Sequence, residues 1–327
     1  MPTALITSGP LRGQPGPFRE ILTAAGFECV DPEGPYTMSE GELRATLPRV
    51  DAMIAGGEAM TAEVLDVASR LRVIARTGVG YDAIDVEAAT ARRIAVCIAP
   101  GTNHESVAEQ AFGLLLALTR RITINDREIR AGGWSRILVA PLRGRTIGLV
   151  GLGRIGRAMA SRALAFGMRV VAFDPVSDPD FDLRLGIGRL GFEDLLAGSD
   201  VVSLHLPLTK VTHGLFDRDV LARMRPGSYL INTARGGLIV EADLHASLVS
   251  GHLAGAGLDV LNSEPPEPGN PLLLLPNVVI SPHVAGIDTR SMSDMAVLAA
   301  QCVVALHQGQ WPAGCVVNDE LSQDWSW

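Results

Sequence analysis

Short runs of apolar and β-branched residues alternate with helix-patterned stretches along almost the whole chain, and this alternation limits the fold more than any other feature. The first runs are ALIT (4–7), FECV (27–30), AMIA (52–55), RVIA (72–75) and IAVCI (94–98), with helical patterns over 18–25, 61–70 and 85–91. Short β-branched and apolar strands interleaved with helices argue a parallel sheet covered on both faces by its crossover helices. At Asn103 a longer helical pattern begins, ESVAEQAFGLLLALTRRITINDREIRAGG, with Asn103 or Ser106 as its cap and Gly132-Gly133 as its stop. Its length predicts a single helix bridging two bodies. The alternation then restarts as RTIGLV (145–150), VVAF (170–173), DVVSLHL (200–206), SYLINT (228–233), GAGLDV (255–260) and VVIS (278–281). The expected class is therefore α/β, with a doubly wound parallel sheet of at least six strands in the second half. A length of 327 residues fits about two domains.

The restart of the alternation carries a cofactor signal. Gly151-Leu-Gly153-Arg-Ile-Gly156 matches GxGxxG, follows a strand, opens an Ala-rich helix, and has Asp174 at the end of the next strand. In that setting each part has a physical reason. Gly151 makes the tight turn, Gly153 lets a pyrophosphate approach the backbone, and Gly156 lets helix and strand pack closely. The helix N-terminus supplies amides and the positive end of a dipole. Asp174 accepts from ribose hydroxyls and repels a 2′-phosphate, so NAD is favoured over NADP.

Composition removes several other readings. With 36 acidic against 28 basic residues the formal charge is −8, which disfavours nucleic acid and anionic membrane surfaces as partners. No apolar stretch is long enough to span a bilayer, and the N-terminus lacks the basic-then-apolar order of a secretion signal, so a soluble cytoplasmic protein is expected. Lys210 is the only lysine, so Schiff-base chemistry would rest on that residue alone. Cys29, Cys97, Cys302 and Cys315 form no CxxC pair and read as ordinary buried thiols, with no metal site expected. Neither GxSxG nor HExxH occurs.

In a doubly wound sheet, ligands bind at the carboxyl ends of the strands. Reading those ends in turn gives Asp174, His205, the run Asn232–Gly237 with Arg235, Asp259 followed by Glu264, and His283. A histidine oriented by a carboxylate is a usual acid–base pair, and arginine anchors a carboxylate or polarises a carbonyl. With a dinucleotide, this set suggests hydride transfer at a carbon that bears a hydroxyl and adjoins a carboxylate. His104 sits in the loop before the long helix; His213, His245, His252 and His307 have no metal-ligand spacing and read as surface or packing residues.

Seven motifs in order, RTGVGYDAID (76–85), GTNHESVAEQ (101–110), LRGRTIGLVGLGRIG (142–156), LHLPLT (204–209), INTARGG (231–237), GLDV with SEPP (257–266) and SPHVAG (281–286), resemble the D-isomer-specific 2-hydroxyacid dehydrogenase family. The resemblance covers nearly the whole chain. It implies a Rossmann-type NAD-binding domain over 102–285, inserted in a smaller flavodoxin-like substrate domain of 1–101 plus 286–327. The crossings would be the helix after Asn103 and a helix over 289–307. It also implies roles. Arg235 would hold the substrate carboxylate and carbonyl, His283 would be proton donor in reduction and base in oxidation, and Glu264 would hydrogen-bond His283. Arg154 and Ile155 would contact pyrophosphate. His205 (through its backbone), Leu206, Pro207 and Gly286 would line the cofactor, Thr233, Ala234 and Arg235 the nicotinamide side, and Asp259 would face the carboxamide. Arg76, Val79, Gly80 and Asn103 would serve the substrate, the amides of Val79 and Gly80 as a carboxylate nest. The region around Trp134 would pack against a second subunit, giving a homodimer or a tetramer.

Departures from the family bear on the substrate. Phosphoglycerate dehydrogenases use basic residues for the phosphate; Arg76 fits one such position, but MIAGGEAM (53–60) has Gly where another Arg is expected. No regulatory domain follows before Trp327. Formate dehydrogenases of the superfamily carry Gln in place of Glu264. The expected activity is interconversion of a small 2-oxo acid, such as glyoxylate, hydroxypyruvate or 3-phosphohydroxypyruvate, with its D-2-hydroxy acid. The alternative is a dinucleotide-sensing interaction protein of the corepressor type, which shares the fold and the Arg–Glu–His set.

Overall fold

A computed structural model describes residues 1–34, 37–176 and 178–327. The chain divides into two compact units, one of Met1–Asn103 with Gly286–Trp327, the other of His104–Ala285.

The first unit contains β1 (Thr3–Ile6), α1 (Pro17–Ala24), β2 (Glu28–Val30), α2 (Glu40–Thr46), β3 (Ala52–Ala55), α3 (Ala62–Asp66), β4 (Val73–Arg76), α4 (Val86–Ala91) and β5 (Ala95–Cys97). Its strands form a parallel sheet in the order β2-β1-β3-β4-β5, the flavodoxin order. Successive strand residues are buried on opposite faces. Ala4, Ile6, Ile54 and Ala75 pack with Phe18 and Leu22 of α1, whereas Leu5, Met53, Ile74 and Val96 pack with Leu43, Val64 and Ala89 of the helices behind. Each fully buried Leu or Ile side chain contributes about 1.5–3 kcal/mol.

The second unit holds α5 (His104–Thr119), α6 (Ile122–Arg130), β6 (Thr146–Val150), α7 (Arg154–Ala165), β7 (Arg169–Phe173), α8 (Pro179–Leu185), β8 (Gly188–Arg189), α9 (Phe192–Gly198), β9 (Val201–Leu204), α10 (Arg218–Arg223), β10 (Ser228–Asn232), α11 (Glu241–Val249), β11 (Leu253–Leu258) and β12 (Val278–Ile280). Its sheet runs β12-β11-β10-β9-β6-β7-β8, all parallel. This is the Rossmann order with a seventh strand, and the order reverses between β6 and β9. One face packs on α5 and α7 through Ile147, Leu149, Phe112 and Met159. The other packs on α9, α10 and α11 through Val202, Leu230, Leu195 and Leu244.

The long helix expected from Asn103 is two helices. Arg121 takes a left-handed conformation (φ 55°) between α5 and α6. Nine residues of α5 are buried and none of α6 is, so the chain turns where the core-facing stripe runs out. Ser106 is not its cap; it lies inside α5, and its Oγ donates to the Ala285 carbonyl at 2.7 Å. Nor do the expected bridging helices bridge. All of α5 lies in the second unit, and α12 (Thr289–His307) lies in the first, packed on α1 and β4. The changeovers fall in the few residues before each helix. Two of the four cysteines are only half-buried, Cys29 and Cys315, and all four are free thiols.

Candidate active site

The carboxyl edge of the larger sheet is built around glycines that no other residue replaces. Gly151 leaves β6 at φ 100°, and a Cβ there would stand 2.6 Å from the His205 carbonyl oxygen. A Cβ on Gly156 would lie 2.3 Å from the Gly151 carbonyl, so α7 packs directly on the turn. Gly153 is different: nothing lies within 4 Å of where its Cβ would point, and as N-cap of α7 it provides no side chain for the helix amides. The open backbone and uncapped N-terminus, with Arg154 and Ile155 in the first turn, fit a pyrophosphate. Asp174 follows β7. Its carboxylate accepts from the Leu152 amide at 2.6 Å and from the Val176 amide at 2.8 Å, tying the acid to the glycine turn.

At the end of β9, the His205 ring nitrogen Nε2 lies 3.0 Å from Ser203 Oγ. Burial lowers its pKa to about 4, so the ring is neutral at pH 7. Leu206 and Pro207 continue from it.

At the end of β10 the fully buried Asn232 shapes the next loop, accepting from the Ala234 amide at 3.0 Å and donating to the Arg235 carbonyl at 2.8 Å. This bracket places Thr233, Ala234 and Arg235 at the edge. Arg235 Nη1 donates to the Ala234 carbonyl at 2.6 Å. Gly236 must be glycine, since a Cβ would fall 2.1 Å from the Leu261 carbonyl group.

Asp259, after β11, is 1% exposed. Burial pushes its carboxyl above the usual range, against hydrogen bonds from Ser281 Oγ (2.5 Å) and the amides of Ala285 (2.8 Å) and Val284 (3.0 Å). The carboxylate faces inward to this loop, where the resemblance has it facing the carboxamide. The loop it secures carries His283, whose amide donates to the Asp259 carbonyl at 2.8 Å. His283 has φ 53°, a left-handed conformation that a non-glycine residue adopts only when its surroundings hold it there.

His283 Nδ1 lies 2.6 Å from Glu264 Oε2, while Glu264 Oε1 accepts from the Leu261 amide at 3.0 Å. Glu264 is partly buried, which opposes ionisation, but the His283 hydrogen bond and charge, the Leu261 amide and the Arg235 charge together hold its carboxyl below the ordinary value. The carboxylate fixes the ring through Nδ1 and leaves Nε2 to exchange a proton.

The residues expected to serve the substrate lie on the smaller unit. Arg76 ends β4, and Val79 and Gly80 follow in the turn before α4. Gly286, expected beside the cofactor, packs on Asn103: a Cβ there would meet Asn103 Nδ2 at 3.0 Å. Sequence patterns place Asn232 at a strand end without its bracing role, and miss the inner layer of Ser203, Ser281 and Gln110, whose Nε2 donates to Ser281 Oγ at 2.9 Å. The sequence signal for it is that Ser281 follows β12 directly, two residues before His283.

A glycine turn, an acid tied to it and a His–Glu pair beside an arginine, all at the carboxyl edge of a doubly wound sheet, fit a dinucleotide-binding α/β protein. Residues 112–285 match the family model described as D-isomer specific 2-hydroxyacid dehydrogenase, NAD binding domain. The chain belongs to this family. It is 42% identical over 317 residues to a glyoxylate reductase from Thermofilum pendens, covering 94% of this chain and 93% of that protein. It is 40% identical over 275 residues to a D-3-phosphoglycerate dehydrogenase from Archaeoglobus fulgidus, covering 83% of this chain but 52% of that protein, so it spans about half the length of such relatives. Among solved structures, D-lactate dehydrogenase from Aquifex aeolicus, complexed with NAD and lactic acid, superposes with a TM-score of 0.83 at 28% identity, over 96% of this chain and 98% of that one. These relatives are named as enzymes, and the corepressor-type alternative gains no support from them.

Proposed function

We propose that this chain is an NAD-dependent oxidoreductase that interconverts a small 2-oxo acid and its D-2-hydroxy acid. The observation that carries the reading is the 2.6 Å His283–Glu264 pair at the edge that also presents the glycine cradle and Arg235. Gly151, Gly153, Arg154, Ile155 and Gly156 hold the pyrophosphate and Asp174 the adenosine ribose. Backbone and side chains of His205, Leu206, Pro207, Thr233 and Ala234 line the rest of the cofactor, with Asp259 acting through the loop it secures. Bound NADH supplies the hydride. The Arg235 guanidinium holds the carboxylate and polarises the adjacent carbonyl oxygen, drawing electron density from its carbon. His283 Nε2 gives its proton to that oxygen as the hydroxyl forms and takes it back in oxidation, while Glu264 keeps the ring aimed through Nδ1. Arg76, Val79, Gly80 and Asn103 are assigned to the substrate.

An unphosphorylated acid of the glyoxylate or hydroxypyruvate class is the favoured substrate. On the smaller unit the buried Glu58 accepts from Thr7 Oγ1 (2.8 Å) and the Gly56 amide (3.0 Å), with Arg12 at 3.9 Å. A buried carboxylate in the loop after β3 disfavours a phosphate there. NADH oxidation measured against glyoxylate, hydroxypyruvate and 3-phosphohydroxypyruvate tests both points. Turnover of the first two above the third is expected, and no turnover with any 2-oxo acid removes the proposal.

The functional unit is proposed to be a homodimer. Ile122, Ile129, Trp134, Ile137 and Leu138 are all exposed on α6 and the segment after it, Leu138 fully, which is an apolar surface suited to a second copy. A cytoplasmic location is supported by four free thiols; no helix among the described residues is long and apolar enough to cross a membrane.

A further inference from the structure

Strand β8 is two residues long, yet it carries a side chain that the site's motifs do not account for. Arg189 lies opposite Ala172 of β7, two residues before Asp174. Its Nε donates to Asp182 Oδ2 at 2.7 Å, and its Nη1 donates to the carbonyls of Asp174 and Val176, each at 3.2 Å. Asp182, on α8, is 6% exposed, so a buried carboxylate aims the guanidinium at the turn. The held turn is the one whose acid, Asp174, reaches the Leu152 amide of the glycine turn.

A short irregular turn has no ladder to fix it, and the direction of its acidic side chain is only as definite as its backbone. Arg189 supplies that definition from behind through a planar fork, with one nitrogen on Asp182 and another on two carbonyls, an arrangement a lysine ammonium cannot reproduce. We infer that Arg189, aimed by Asp182, is a positioning residue for the cofactor: it fixes the Asp174–Val176 turn so that the Asp174 carboxylate stands where it binds the ribose and rejects a 2′-phosphate. The inference rests on the assignment of Asp174 to the ribose.

The test is titration of the purified full-length protein with NADH and with NADPH, followed by nicotinamide fluorescence, with the thermal midpoint of each variant recorded. Removing Arg189 alone strands a buried carboxylate and endangers folding, so Asp182 and Arg189 are replaced together, Asp182→Asn with Arg189→Met. The pair replacement is expected to weaken NADH about tenfold while leaving NADPH within about twofold, a change in ratio that general loosening does not produce. In an Asp174→Ala background the same replacement is expected to move NADH less than about twofold, because the carboxylate it positions is gone. Arg189→Lys is expected to recover little of the loss. An unchanged NADH affinity in the pair variant overturns the inference, provided Asp174→Ala does weaken NADH. Equal losses with and without Asp174 also overturn it, since Arg189 then acts on the fold rather than through the acid. If Asp174→Ala itself leaves NADH affinity unchanged, the ribose assignment falls, and this inference falls with it.

Discussion

At the residue scale the site divides into side chains proposed to meet ligands and side chains that hold them. His283 illustrates both demands. Its left-handed backbone is pinned to Asp259, and its ring is pinned to Glu264. His283→Gln is expected to lower kcat by about 10²–10⁴-fold with little change in NADH affinity, the loss appropriate to a missing proton donor. Arg235→Ala is expected to raise KM for the 2-oxo acid as well as lower kcat; a change confined to kcat would argue against its carboxylate contact. His205 has a different signature, because its pKa of about 4 lies below the ordinary 6.5. Between those values the unfolded imidazole binds a proton that the folded one refuses, so unfolding is favoured as pH falls through this window. The loss amounts to at most about 3 kcal/mol and is complete near pH 4. His205→Gln is expected to flatten the fall in the urea midpoint between pH 6.5 and 4, and an unaltered acid limb would show that the ring titrates normally. The outer residues at strand ends were legible in sequence because topology alone sends them to one edge. The roles of Ser281 and Asp182 were not, since a hydrogen bond across 22 residues, such as Ser281 to Asp259, leaves no local pattern.

At the scale of elements, most strands were plain from their short, mainly apolar runs, and their ends agree with the sequence reading to within a few residues. β8 was missed because two residues, one of them glycine, have no periodicity to detect; it exists only because β7 offers a free edge. The break at Arg121 was missed for a related reason. No Gly or Pro marks it, and the turn is dictated by where the core-facing stripe of α5 ends. The short 3₁₀ turn at Gly236–Leu238 supports a prediction of its own. Gly236→Ala forces a methyl group into the Leu261 carbonyl, and the turn must shift together with Arg235. A stability loss of about 1–3 kcal/mol by urea denaturation is expected, with a raised KM for the 2-oxo acid. A variant of wild-type stability would mean that the two loops separate freely.

At the scale of the whole molecule, two predictions concern how much of the chain is self-sufficient. The apolar surface on α6 and the segment after it predicts that Leu138→Asp with Trp134→Ser converts a dimer to a monomer in light scattering; an unchanged mass would place the subunit contact elsewhere. The second concerns the insertion. Ser106 and Ala285, near the ends of the larger unit, share a hydrogen bond, and Asn103 and Gly286, the two chain ends of the smaller unit, are so close that a Cβ on Gly286 would stand 3.0 Å from Asn103 Nδ2. Entry and exit of the inserted segment are therefore neighbours on each unit. A chain with residues 104–285 removed and Asn103 joined to Gly286 through a few glycines is expected to unfold cooperatively as an autonomous five-stranded protein, and a molten product would refute this. The excised 104–285 should likewise survive head-to-tail closure of its backbone. Because the two leads lie side by side on each unit, evolution or engineering can exchange the nucleotide module without rethreading the smaller unit.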